Sequence, residues 1–154
     1  MSIPLQARSG AWQPALELLE PISLVRCCTS PLGRNLCMIV TETAVHVYAT
    51  SDESPNLSFE PVTSFFLGCR ATGASWSPST QHASTAWRIE ILVATETNEL
   101  RLLESVRQGS EASTSNIKLA DTYARVTDLA WCASPGYESY AAAACSDGTV
   151  RLWD

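Results

Sequence analysis

Clusters of basic residues, membrane-length apolar runs, paired-cysteine motifs and catalytic signatures are all missing from this sequence, and each absence removes a class of function. Lys and Arg total 10 against 16 Asp and Glu, a net charge of −6, and the basic residues are scattered along the chain. A surface that tracks phosphates needs them gathered, so direct nucleic-acid binding is not expected. No stretch approaches the ~18 apolar residues of a membrane span, and the start, Met1-Ser-Ile-Pro-Leu-Gln-Ala-Arg8, has no unbroken apolar core of a secretory signal. The expectation is an intracellular chain without membrane insertion. The six cysteines, at 27, 28, 37, 69, 132 and 145, form no C-x-x-C pair, and His46 and His82 have no ligand-like spacing to any of them. Free, mostly buried thiols are expected, with no metal and no cofactor. No G-x-S-x-G, H-E-x-x-H or Gly-rich phosphate loop occurs either; Gly68 and Gly73 precede no helix start, and His46 sits mid-strand between Val45 and Val47. Nothing in this set points to an enzyme.

What the sequence does contain is strand after strand. Apolar residues make up 45% of its 154 residues and charged ones 17%, which suits a packed domain rather than a disordered chain. The clearest pattern is the last ten residues, Cys145-Ser-Asp-Gly-Thr-Val-Arg-Leu-Trp-Asp154. Asp147-Gly148 is a hairpin signal, because Gly accepts a positive φ and Asp bonds its own backbone. The small apolar run Tyr140 to Cys145 before it, and the alternating Thr149 to Trp153 after it, read as two antiparallel strands.

Upstream, the same order of strand types recurs. Ile22–Cys28, Leu36–Val40, Ala44–Tyr48 and Pro61–Leu67 read as four strands joined by short turns and one polar insertion at 50–57. Ala71–Trp76, Ile89–Ala94, Leu100–Leu103 and Ile117–Ala120 repeat the order, with polar loops over 79–86 and 107–115. Val126–Trp131 opens a third round. Trp76 and Trp131 stand 55 positions apart, as do Tyr48 and Leu103, while Leu103 and Trp153 are 50 apart. Residues 15–20, Ala-Leu-Glu-Leu-Leu-Glu, read as a short strand in which Leu19 breaks the alternation.

The apolar run, Ser-Asp-Gly turn and Val-Arg-Leu-Trp-Asp ending resemble a WD40 repeat. That resemblance implies an all-β fold, a partial WD40-type β-propeller of about two and three-quarter blades out of the about seven usual in closed ones. Residues 1–20 would then be an N-terminal arm that could supply the outer strand of the closing blade, with blade 1 at 21–68, blade 2 at 69–121 and an incomplete blade 3 at 122–154. Asp147, Gly148, Trp153 and Asp154 match the family's blade motif. Its Gly-His is absent before Val126, where Ala124-Arg125 stands, and Cys145 or Ala143 takes the place of its Ser, so its hydrogen-bonded set is expected to be incomplete. Asp147 is expected to cap the turn's amides. The second unit, Gly68 to Leu103, is similar to a blade of the small WD40 nucleoporin of the Y-shaped nuclear pore scaffold. This implies a non-catalytic scaffold at the nuclear envelope whose partner is a larger scaffold nucleoporin; a propeller subunit of a transcription or chromatin complex is the alternative. Trp12 and Trp87 stand in polar surroundings and are the candidate interface anchors, with core burial the alternative for Trp87 because it begins a strand.

Overall fold

The computed structural model describes residues 16–51 and 58–154. All its regular elements there are strands, arranged in three antiparallel sheets. The first sheet runs in the order β1 (Leu24–Cys27), β2 (Leu36–Val40), β3 (Ala44–Ser51), β4 (Ser58–Phe66). The second follows with β5 (Ala71–Trp76), the two-residue β6 (Gln81–His82), β7 (Ala86–Thr95), β8 (Glu99–Gln108) and β9 (Glu111–Asp121). Its path is β5-β7-β8-β9, with β6 pairing β7. The third contains β10 (Val126–Trp131), β11 (Ala141–Cys145) and β12 (Val150–Trp153).

Each sheet is a meander because consecutive apolar runs are separated by turns too short for anything else. Three local expectations are corrected. The polar loop at 79–86 contains β6, and β7 already begins at Ala86. The polar stretch at 107–115 is a hairpin around Gly109-Ser110, with Val106 opposite Ser113 and Arg107 opposite Ala112. Its Ser and Thr residues form a strand because β9 is outermost, with nearly every side chain facing water. Residues 16–20 form no strand. Leu16 and Leu18 pack instead on Cys37, Ile39, Tyr48 and Phe59 of the first sheet, and the Glu20 carboxylate accepts the Thr43 N–H at 3.1 Å and its hydroxyl at 2.6 Å.

Side chains alternate across a strand, so each sheet has two faces to cover. The Met38, Val40, Val45 and Val47 face of the first sheet packs on Ala74, Trp76, Ile91 and Val93 of the second. The second sheet's opposite face, with Leu92, Ala94 and Leu100, packs on Val126, Leu129 and Ala143 of the third. Fully burying such a side chain contributes roughly 1.5–3 kcal/mol, and these layers supply most of the favourable term. Gly73 sets the second approach: a Cβ there would lie 3.1 Å from Leu129 Cβ and 3.3 Å from Leu129 N. Hydrogen bonds fix the alignment. Trp76 Nε1 donates to the Arg26 carbonyl at 3.1 Å, and the Trp131 amide donates to Ser75 Oγ at 2.8 Å.

Tyr48, Leu103 and Trp153 hold equivalent places, opposite Cys37, Ile91 and Ala141 on the neighbouring strand. Val150 and Leu152, which follow Leu100 and Leu102 by 50 positions, stay 73% and 74% exposed on the free face of the third sheet. All six cysteines are free thiols; Cys28, Cys37 and Cys145 are buried, and burial pushes the Cys37 thiol up to about 11.

Candidate interaction site around Trp87

Strand pairing sets His82, Trp87 and Arg107 in a row across β6, β7 and β8, each directly opposite the next. Residues opposed in this way share a face and lie within side-chain reach. The Arg107 guanidinium carbon sits 4.9 Å from the centre of the Trp87 rings, a cation–π contact, and the His82 ring lies 5.8 Å from them, tilted by 33°. Trp87 points the same way as Ile89 and Ile91, and its half-buried indole packs on the core between the first two sheets. Its Nε1 donates to Ser105 Oγ at 3.1 Å.

His82 is anchored from the first sheet. Asn35 Nδ2 lies 3.0 Å from His82 Nδ1. An amide nitrogen only donates, so the ring accepts at Nδ1 and carries its proton at Nε2. Burial holds the imidazole below its ordinary value of 6.5. A cleft of about 480 Å³ opens beside Trp87 toward Leu32, Ala86 and Val106. A second, of about 650 Å³, opens toward Asn35, Glu60 and Pro61 of the first sheet. Arg107 Nε is tied to the Gly109 carbonyl at 2.9 Å. Arg107 lines both clefts, and its outer guanidinium nitrogens have no hydrogen-bond or ion-pair partner among the described residues. Behind the site, Glu90 is buried and accepts two bonds from Arg88, at 2.9 and 2.6 Å, and one each from Ser77 and Ser79, at 3.0 and 2.8 Å. Burial alone would raise its carboxyl, but the bonds from Arg88, Ser79 and Ser77 outweigh that and hold it below 4.5. These bonds brace the 77–80 turn beneath the cleft.

The third-sheet hairpin lies away from this site. Gly148 has φ +82°, and Asp147 Oδ1 accepts the Thr149 amide at 3.1 Å and its hydroxyl at 2.6 Å. Arg151 reaches Asp147 Oδ2 at 3.1 Å. Trp153 Nε1 is hidden from water and has no acceptor among the described residues, while Ala141 and Ala143, on the neighbouring strand, offer no side-chain oxygen. Asp154 is exposed beyond the strand. Trp12 lies outside the described residues.

No family model matches the sequence, and no curated protein matches it. A solved structure does match the fold: the WD40 domain of SCAP from fission yeast aligns with a TM-score of 0.59 at 12% identity, over 85% of this chain and 28% of that one. The fold is part of a WD40 β-propeller. At that identity the likeness is one of fold alone, and this chain spans little more than a quarter of that structure's length. The three sheets are therefore blades, and the Trp87 clefts lie where the first two blades meet.

His46 is the other histidine singled out from sequence. Its Nδ1 is 2.9 Å from Ser64 Oγ on the solvent side of β3 and β4. Water competes for such an exposed pair. The sequence singles out Trp87 as an interface anchor and names His82 only as a loop histidine, whereas Asn35 and Arg107 carry no signal. His82 and Arg107 come from segments read as polar loops and Asn35 from just before a predicted strand, and only the β6–β7–β8 pairing and the contact between the first two sheets bring them together.

Proposed function

We propose that this chain is a non-catalytic interaction scaffold that holds a protein partner at the junction of its first two blades. The arrangement of Trp87, Arg107 and His82 carries the reading. A half-buried indole, held by a buried hydroxyl and flanked by a guanidinium with free donors, is the composition of an interface anchor rather than of a reaction centre. On the finer level we propose a structural component of the nuclear pore Y-complex, sited at the nuclear envelope and bound to a larger scaffold nucleoporin. The similarity of residues 68–103 to a blade of the small WD40 nucleoporin supports this reading.

Co-purification on the tagged chain tests both levels. Scaffold nucleoporins should be recovered, and Trp87→Ala should lower their recovery at least fivefold while the circular dichroism spectrum is unchanged. Recovery of DNA-bound transcription factors in their place would favour a transcription or chromatin complex. Equal recovery by the variant would remove Trp87 from the interface.

A further inference from the structure

The first strands of the three blades gather positive charge on a chain whose net charge is −6. Arg26 on β1, Arg70 just before β5 and Arg125 just before β10 line one cleft of about 260 Å³, together with Thr72, Thr127 and Asp128. Arg70 and Arg125 hold the same place in successive blades, 55 positions apart. One guanidinium of the three is paired: Arg26 Nη2 meets Asp128 Oδ1 at 2.8 Å. The Arg70 and Arg125 side chains are exposed and carry no ion pair among the described residues. The next carboxylate, Glu96, accepts the Arg70 backbone amide at 3.0 Å.

Two further donors, on residues that line this cleft, are unused among the described residues. Arg26 Nε and Thr72 Oγ1 are both hidden from solvent, and neither has a hydrogen-bond partner among the described residues. Buried donors without acceptors are rare, and each calls for a group that would satisfy it. Two unpaired guanidiniums, Arg70 and Arg125, beside the Asp128-paired Arg26 and two orphaned donors, call for a negatively charged oxygen acceptor. The cleft is smaller than the ≈ 300 Å³ from which small-molecule pockets begin, so it fits one side chain rather than a nucleotide or cofactor.

We infer that this cleft binds a single oxyanion group, carboxylate or phosphate, carried by a side chain of an extended acidic peptide. Planar guanidiniums take such groups through paired N–H···O bonds, which a lysine cannot reproduce. The site shares no lining residue with the Trp87 clefts, so it stands or falls separately from the interface proposed there.

Fluorescence anisotropy on the 154-residue chain tests this with three labelled peptides that differ at one central position: phosphoserine, aspartate or asparagine. The phosphoserine and aspartate peptides should bind at least tenfold tighter than the asparagine peptide, with affinity falling as salt rises. Arg70→Ala with Arg125→Ala should weaken the charged peptides at least tenfold without changing circular dichroism or thermal unfolding. Arg70→Lys with Arg125→Lys, which keeps charge and bulk, should weaken them several-fold, and Trp87→Ala should leave them unchanged. Equal affinity for the asparagine peptide, or unaltered binding by both arginine variants, would overturn the inference. Binding of inorganic phosphate without either charged peptide would overturn the peptide assignment, and no binding of any probe would overturn the inference.

Discussion

The indole N–H of Trp76 donates to the carbonyl of Arg26 at 3.1 Å, tying β5 of the second blade to β1 of the first across 50 residues. Trp153 hides its own indole N–H from water and has no acceptor for it among the described residues. Two tryptophans of one chain thus hold opposite positions in hydrogen bonding.

Substitution by phenylalanine separates them. Trp76→Phe removes that hydrogen bond and should lower stability by about 1 kcal/mol beyond the loss of ring area. Trp153→Phe gives up no hydrogen bond and should stay within about 1 kcal/mol of the parent. Denaturant midpoints at constant slope measure both, and equal shifts would contradict the assignment.

Gly73 and Gly148 are constrained for different reasons. A methyl at Gly73 would meet Leu129 Cβ at 3.1 Å and its backbone nitrogen at 3.3 Å, so Gly73→Ala should force the second and third blades apart and destabilise by about 1–3 kcal/mol. Nothing lies within 4 Å of a Cβ at Gly148, where the positive φ alone makes Gly148→Ala unfavourable, by about 1 kcal/mol. Thermal unfolding of the two variants should rank them in that order.

The acid limb of stability should report Glu90. Its folded-state carboxyl is held below 4.5, so its contribution is complete above 4.5 and is lost as pH falls through the folded value. Glu90→Gln should flatten that part of the curve and cost about 2 kcal/mol at neutral pH, where the Arg88, Ser77 and Ser79 donors lose their charged acceptor. A pH series of denaturant midpoints, parent against variant, gives the answer.

His82 should act nearer neutrality, with the same sense. Burial lowers its folded pKa, so between 6.5 and that lower value the unfolded chain binds more protons, and stability falls as pH drops through the window. Protonation would also put a hydrogen on Nδ1, where Asn35 donates. His82→Gln should remove the dependence; a ring titrating at 6.5 or above by NMR would contradict it.

The strand order was legible from sequence because alternation and turn residues agree along most of the chain. The Asp147-Gly148 turn and the equivalence of Tyr48, Leu103 and Trp153 follow from those signals alone. The stretches 79–86 and 107–115 were not legible, since composition takes Ser, Thr and Gln for loop residues, whereas an outer strand facing water tolerates them. Both partners that complete the Trp87 row from within its blade, His82 and Arg107, come from those stretches. The Arg26, Arg70 and Arg125 cluster was hidden for another reason: residues far apart in sequence meet only where the first strands of three blades converge.

Val150 and Leu152 stay exposed on a face whose counterparts, Leu100 and Leu102, lie on the blade face that the next blade covers. Such a stack is close to a one-dimensional lattice in which each layer is held by its neighbours. Among the described residues the third layer packs on one neighbouring sheet. Its amides in β12 should exchange with solvent fastest among the strands, opening before the first two layers loosen, so that the unfolding of this chain has a direction.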